Sequence, residues 1–319
     1  MPPMLTCLGE ALIDFLPIEA DGRTVGFTMH PGGSLLNVAV AAARLGQPVA
    51  LAGRVATDFF GRFLRGYLQG EGVAGGWLLD TPAQSTLAFV ATEHGEPAYS
   101  FYGDNAADTQ LRPGELPDAL FAETGLLHVG SISLLRGSTP DAVFDTVARL
   151  RGTALISCDP NLRPSLVRDE PAYRATLARL FALADVVKLS AVDLAWLLPG
   201  SSVEQAASAL LAQGPAMVVI TQGGAGVLAA RAPDARMLHA AAFPITVADT
   251  VGAGDSFNGG LLTRLAELGV RSRATLEALP DAEVATALRF AVAVAAINCT
   301  RPGADPPHRA EVDALLSQV

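Results

Sequence analysis

Lysine is almost missing from this chain. Of its 22 Lys and Arg residues, Lys188 is the single lysine. It does not follow a glycine-rich turn, so the Walker A pattern is absent and P-loop chemistry is disfavoured. Cysteine is scarce too. Cys7, Cys158 and Cys299 are far apart and odd in number, which favours reduced, buried thiols over a disulfide frame or a zinc site. The histidines (His30, His94, His128, His239, His308) are scattered, with none beside Cys or acids at metal-ligand spacing. No Gly-x-Ser-x-Gly elbow occurs, which removes the commonest serine hydrolase. No Gly-x-Gly-x-x-Gly follows the first apolar segment, residues 5–9, which argues against a nicotinamide dehydrogenase. A net charge of −10 argues against nucleic acid or an anionic membrane as partner. Apolar runs such as residues 291–297 are too short to span a bilayer. The start, Met1-Pro2-Pro3-Met4, lacks a basic and an apolar region, so the expectation is a cytoplasmic protein without a signal peptide.

What is present is a core. The chain has 319 residues, half of them hydrophobic and 17% charged, enough for one large α/β domain or two smaller ones. Strand-like segments at 5–9, 49–52, 125–129, 154–158, 186–189 and 216–221 alternate with helical ones. The helical segments are 36–45, 59–69, 141–150, 172–183, 203–212 and 256–268, with further helices expected at 286–299 and 311–316. This rhythm predicts a mostly parallel sheet covered by helices on both faces, a three-layer α/β architecture. Residues 11–29 and 86–102 break it. They read as strands without helices between them, the second with a hairpin turn at His94-Gly95-Glu96. Such insertions form a lid or a dimer surface, and the reading is one domain over 1–319 with lid strands at about 11–30 and 86–104.

The densest chemistry lies in Asp249-Thr250-Val251-Gly252-Ala253-Gly254-Asp255-Ser256-Phe257. Gly252, Ala253 and Gly254 leave backbone N–H groups open at the start of an apolar helix. Unpaired amides and the helix dipole make that start an anion site. Asp255 is a carboxylate inside it, and a bound phosphate would repel it unless the acid had a task. Removing a proton from a hydroxyl that attacks that phosphate is such a task. A plain glycine turn is the weaker alternative, given the two acids and two glycines at one helix mouth.

Other groups are less specific alone. Gly32-Gly33-Ser34-Leu35-Leu36-Asn37 opens an alanine-rich helix, as a ligand-approach turn or an ordinary helix start. Asp14 could hold a sugar diol or be a solvated strand-end acid. Arg163, in Asp159-Pro160-Asn161-Leu162-Arg163, lies past a strand end where α/β ligands bind. It suits a phosphate bidentately or bridges back to Asp159. Asp193 could organise magnesium through water or serve as a helix N-terminal acid capped by Ser190. Thr221-Gln222-Gly223-Gly224-Ala225-Gly226 is a nucleotide-phosphate loop or a glycine-rich hairpin.

Together these segments resemble a known family. GGSLLNVAVAAARLG (residues 32–46) and DTVGAGDSFNGGLL (residues 249–262) are similar to the two signatures of the ribokinase-like, or PfkB, carbohydrate kinases. The likeness runs from Cys7 to about Pro307. GEALIDFLP (9–17), HVGSISL (128–134), DPNLRPSL (159–166) and VKLS (187–190) resemble the bacterial fructokinase branch. The resemblance implies a ribokinase-like fold with a β lid, ATP and Mg²⁺ as cofactors, K⁺ as a possible third, and a homodimer. The implied reaction moves the γ-phosphoryl group of ATP to a primary sugar hydroxyl, with fructose to fructose 6-phosphate first. Another small sugar, a nucleoside or a non-catalytic binding regulator are the alternatives. The resemblance makes Asp255 the base, Gly252, Ala253 and Gly254 the anion hole, and Arg163 a neighbour of the transferred phosphate. Asp14, Gly32, Gly33 and Asn37 would hold sugar hydroxyls, and Asp104 and Asn105 would set sugar specificity. Lys188, Ser190, Thr221, Gly223, Gly226 and Asn298 would serve the nucleotide. Asp193 would hold Mg²⁺ through water. Asp249 and Thr250, with the loop at 299–303, would hold a monovalent cation by their backbone. Two departures stand out. Ser34-Leu35-Leu36 replaces a common Ala-Pro-Ala, which bears on the sugar. Ser190 and Asp193 replace the Asn and Glu of the usual magnesium motif.

Overall fold

The strands sort their side chains by a period of two. Met217 and Val219 enter one core while Val218 and Ile220 enter another, and Val227 and Ala229 part in the same way from Leu228 and Ala230. A strand buried on both faces therefore reads as a continuous apolar run, as the central segments do. The computed structural model describes residues 3–93 and 96–318.

In chain order the first elements are β1 (Met4–Leu8), β2 (Leu12–Ala20), β3 (Arg23–Gly32), α1 (Ser34–Arg44), β4 (Val49–Ala56), α2 (Phe59–Gly70), β5 (Ala74–Thr81), β6 (Leu87–Glu93) and β7 (Glu96–Tyr102). Next come α3 (Asp118–Glu123), β8 (Thr124–Gly130), α4 (Thr139–Leu150), β9 (Leu155–Asp159), α5 (Glu170–Phe181), β10 (Val186–Ser190), α6 (Ala191–Leu197) and α7 (Val203–Leu211). The last are β11 (Met217–Thr221), β12 (Val227–Arg231), β13 (Arg236–Ala240), α8 (Ala253–Glu267), α9 (Arg273–Glu277), α10 (Asp281–Asn298) and α11 (Arg309–Leu316).

Among the described residues, nine strands form the main sheet in the order β13-β12-β11-β10-β9-β8-β1-β4-β5. β4, β5, β1, β8, β9, β10 and β11 pair in parallel, while β12 and β13 add an antiparallel edge. Helices α1, α8 and α10 fill one face of the sheet, and α4, α5 and α7 the other. The expected three-layer α/β architecture is present. β5, β13, α3 and α9 lie outside the predicted elements, being short or following turns without periodic patterning, whereas α6 with its Ser190 cap and the antiparallel β11–β12 hairpin across the 222–226 turn match the alternatives read at those segments.

The interrupting segments form a separate sheet, ordered β3-β2-β6-β7. The β6–β7 hairpin has the expected pairing, while His94 and Gly95 of its turn lie outside the described residues. β2 pairs in parallel with β6, which joins both insertions into one layer. Phe15 stacks on Phe89 with ring centroids 4.7 Å apart, and Phe27 meets both rings edge-on.

Candidate active site

Small residues bring the site's two helices together. Gly259 of α8 packs where a Cβ would lie 2.6 Å from Ala41 Cβ and 3.1 Å from the Ala42 nitrogen of α1. That close approach sets the start of α1 against the first turn of α8. Ser34 and Asn37, three residues apart and so on one face of α1, both point at Asp255. Ser34 Oγ donates to Asp255 Oδ1 at 2.6 Å, and Asn37 Nδ2 donates to Oδ2 at 2.9 Å. Asn161 Nδ2, from the loop after β9, reaches Oδ1 at 3.4 Å.

The turn before α8 has the geometry its glycines suggest. Gly252 is the N-cap in a left-handed conformation, φ 72°, and a Cβ there would lie 2.9 Å from Ala304 Cα. The first intrahelical bond is Ser256 N–H to Gly252 C=O, so the Gly254 and Asp255 amides precede the ladder. Ala253 differs from expectation: its N–H is engaged by the Thr250 carbonyl at 3.2 Å.

Two cavities meet at this turn. One, of about 290 Å³, is lined by Glu10, Asp14, Gly33, Ser34, Asn37, Asn161, Arg163 and Asp255. The other, of about 230 Å³, is mostly apolar, with Thr221, Gly223 and Gly226 at one side and Phe243, Phe257 and Val292 at another. Thr250 and Gly254 line both. Most of the contributing loops leave the carboxyl ends of sheet strands, where open α/β sheets bind ligands.

Burial dominates the electrostatics. The Asp255 carboxyl is pushed up by burial, pulled down by its Ser34 and Asn37 bonds, raised by Asp159 and lowered by Lys188. Asp14 is pushed up to about 6 by burial, opposed by Arg163 and reinforced by Asp255. Glu10 was not anticipated. It is fully buried and raised to about 7 by burial, against the bond from Ser133. Its Oε1 accepts from Ser34 N–H at 3.0 Å and its Oε2 from Ser133 Oγ. Its place two residues past an apolar strand gave no periodic signal.

Several expected ligands turn out to support the site from behind. Lys188 lines neither cavity. It is buried, its Nζ donates to Asp159 Oδ2 at 2.9 Å, and a Cβ on Gly254 would lie 2.8 Å from that ammonium. Burial works against the Lys188 charge, but Asp159 outweighs it and the ammonium is held above its usual range. Asp159 also accepts from Asn258 Nδ2 at 2.7 Å, so the Asp159–Arg163 bridge does not form. Arg163 instead donates to the Asn161 and Leu162 carbonyls and to Asn161 Oδ1, while lining the larger cavity. Asn298 lines neither cavity. It donates to the Val251 carbonyl at 2.8 Å and accepts from Ser256 Oγ, bracing the glycine turn.

Ser190 and Asp193 form a capping box at α6 and line neither cavity. Asp193 also accepts from Leu162 N–H at 2.9 Å, so its oxygens are taken by protein donors. Asp249 accepts from the Thr250, Val251 and Gly303 amides, fixing the turn to the 299–303 loop. Gly32 makes room for the Asp14 carboxylate. Asp104 and Asn105 are drawn elsewhere. Asp104 is exposed and pairs with Arg168 at 3.1 Å, and the Asn105 carbonyl accepts from Gln110. Neither lines the larger cavity.

The chain is similar to known fructokinases in sequence and in fold. A fructokinase of Rhizobium leguminosarum bv. trifolii is 37% identical over 82% of this chain and 79% of its own length. A crystal structure of a fructokinase from Xylella fastidiosa with bound ATP superposes with a TM-score of 0.91 at 32% identity, covering 100% of this chain and 99% of that one. A fructokinase from Vibrio cholerae O395 in its fructose-, ADP- and calcium-bound form reaches 0.84 at 31% identity, covering 98% and 99%. Residues 2–310 match the family described as pfkB family carbohydrate kinase, and the chain belongs to that family.

Proposed function

We propose that this kinase transfers the γ-phosphoryl group of ATP to a primary hydroxyl of a small sugar, fructose first, giving fructose 6-phosphate. The observation that carries the reading is the meeting of a polar cavity and an apolar cavity at one helix mouth, with Asp255 on the polar side. The sugar occupies the polar cavity, with Asp14, Asn37 and the Gly33 backbone taking its hydroxyls. The nucleotide occupies the apolar one beside Thr221, Gly223 and Gly226. Asp255 takes the hydroxyl proton as the oxygen attacks. The open amides of the turn and Arg163 meet the charge developing on the phosphoryl oxygens. Positioning supplies most of the rate, since phosphoryl transfer leaves little covalent work to the protein.

Magnesium would come with ATP and offset its phosphate charge; Asp193, which lines neither cavity and already accepts from Leu162 and Ser190, would act on it only through water. A potassium ion would be held by backbone carbonyls near Asp249, Thr250 and residues 299–303, where it would offset phosphate charge. The sheet of β2, β3, β6 and β7 serves as a lid that excludes water. Its exposed Val25, Phe27 and Tyr102 suit a second copy of the chain, as a homodimer in the cytoplasm.

The test is a coupled ATP-consumption screen over fructose, ribose, ketodeoxygluconate, nucleosides and sugar phosphates. The expected outcome is the highest kcat/KM for fructose. A higher value for a nucleoside or a sugar phosphate would reassign the acceptor, and no ATP consumption with any of them would leave a binding protein.

A further inference from the structure

Ser34-Leu35-Leu36 departs from the pattern expected after Gly32-Gly33, and the structure separates its three residues. Leu35 and Leu36 are wholly buried in the core. Ser34 faces the polar cavity. Its hydroxyl is not spent on capping: α1 has Gly33 as N-cap with no side-chain cap bond. Its backbone N–H is held by Glu10, itself locked by Ser133. The side chain, fixed from behind in this way, donates to Asp255 Oδ1 at 2.6 Å. Asn37 donates to Oδ2 at 2.9 Å, and an ionised carboxylate accepts about four bonds, so Oδ2 keeps a lone pair for a further donor.

We propose that Ser34 is a positioning residue for the base: its hydroxyl anchors Asp255 Oδ1, so that the ionised carboxylate presents Oδ2 to the acceptor hydroxyl. This rests on the kinase reading with Asp255 as base. The departure then bears on proton transfer rather than on the choice of sugar. The charged and titratable groups around Asp255 come from several elements: Cys7 on β1, Glu10 just past it, Asp14 on β2, Asp159 on β9 and Lys188 on β10, with Arg163 beside Asp14 and Asp249 before the turn. Burial raises the Asp255 carboxyl, and the Ser34 bond is the largest influence opposing it. Without that donor, Asp255 holds its proton to higher pH.

The experiment is the pH profile of kcat and kcat/KM, with fructose and ATP, for the wild type, Ser34→Ala, Ser34→Thr and Asp255→Asn. In Ser34→Ala the acid limb moves up by about one pH unit, the worth of one bond to a charged group. Turnover falls roughly tenfold or more across the profile, because the unanchored carboxylate no longer presents Oδ2, while the sugar KM stays within about threefold. Ser34→Thr, which keeps the hydroxyl, restores the limb. An unmoved limb in Ser34→Ala, or a rise in sugar KM with the limb in place, overturns the proposal. Asp255→Asn separates the two levels. If it is inactive beside an unmoved Ser34→Ala limb, only the role of Ser34 falls; if it turns over normally, the base assignment falls with it.

Discussion

Asp255 sits where two demands conflict. Phosphate binding favours open amides at a helix start, while proton abstraction needs a carboxylate within reach of the same phosphate. The structure reconciles them by direction: the amides precede the ladder of α8, and the side chain turns toward the polar cavity and the donors of α1. Asp255→Asn keeps the shape and removes the base. Its expected kcat is lower by roughly 10²-fold or more. Binding of sugar and ATP, measured by calorimetry, is expected to survive in that variant. Lys188 shows what a residue's identity leaves open. The family resemblance gave it a nucleotide role, yet it lies buried beneath Gly254, paired with Asp159. Nothing in VKLS distinguishes a lysine that points out of a strand end from one that points under a neighbouring turn.

At the scale of elements, the site depends on how the turn before α8 is held. Gly252 needs its left-handed backbone, Asn298 of α10 braces Val251, and Asp249 ties the turn to Gly303. Gly252→Ala forces a Cβ against Ala304 and strains the backbone, at a cost of about 1–3 kcal/mol. The expected result is a lower midpoint in thermal unfolding and weakened phosphate-dependent nucleotide binding. An unchanged melt with full activity would show that the turn tolerates a side chain. The main elements here were legible in the sequence, because α1 and α10 are long alanine-rich apolar runs, α8 spaces Phe257, Leu261, Leu262 and Leu265 as a helix does, and the central strands are continuous apolar runs. The Asp193 capping box was legible as an alternative, and the local spacing of Ser190 and Asp193 explains why. Asp104 was not legible as an ion-pair residue. Its partner Arg168 is 64 positions away, before α5, and no local pattern announces the contact.

For the whole molecule, buried acids link folding to pH. Glu10 is raised from 4.5 to about 7 by burial, so the folded state holds its proton more tightly than the unfolded chain. Its stabilising contribution is complete below about pH 4.5 and is lost as pH rises through 7, on the order of 3 kcal/mol. Asp14 acts in the same direction up to about 6. Asp108, raised to about 6 by burial, adds to them; Glu71 and Glu115, held down by Arg44 and Arg54, oppose them at acid pH, and His128, pushed down to about 4 by burial, opposes them up to about pH 6.5 without outweighing the buried acids together. The free enzyme is therefore expected to melt at a lower temperature at pH 8 than at pH 5, with Glu10→Gln flattening that slope. Equal slopes in both proteins, measured by thermal unfolding across pH, would remove Glu10 as the source.

The sequence alone determined the layered α/β fold and the anion-binding turn with its acid, because both are written in neighbouring residues: short apolar runs alternating with helical segments, and small residues beside Asp255. The tertiary structure decided which groups that acid meets. Ser34 and Asn37 are 221 and 218 positions from it, and Asn161 is 94. Sheet order, strand register and the close packing of Gly259 on Ala41 bring them into hydrogen-bond range. Those contacts follow from long-range packing that local sequence does not encode. The same packing set Lys188 beneath the turn and drew Asp104 away from the cavity.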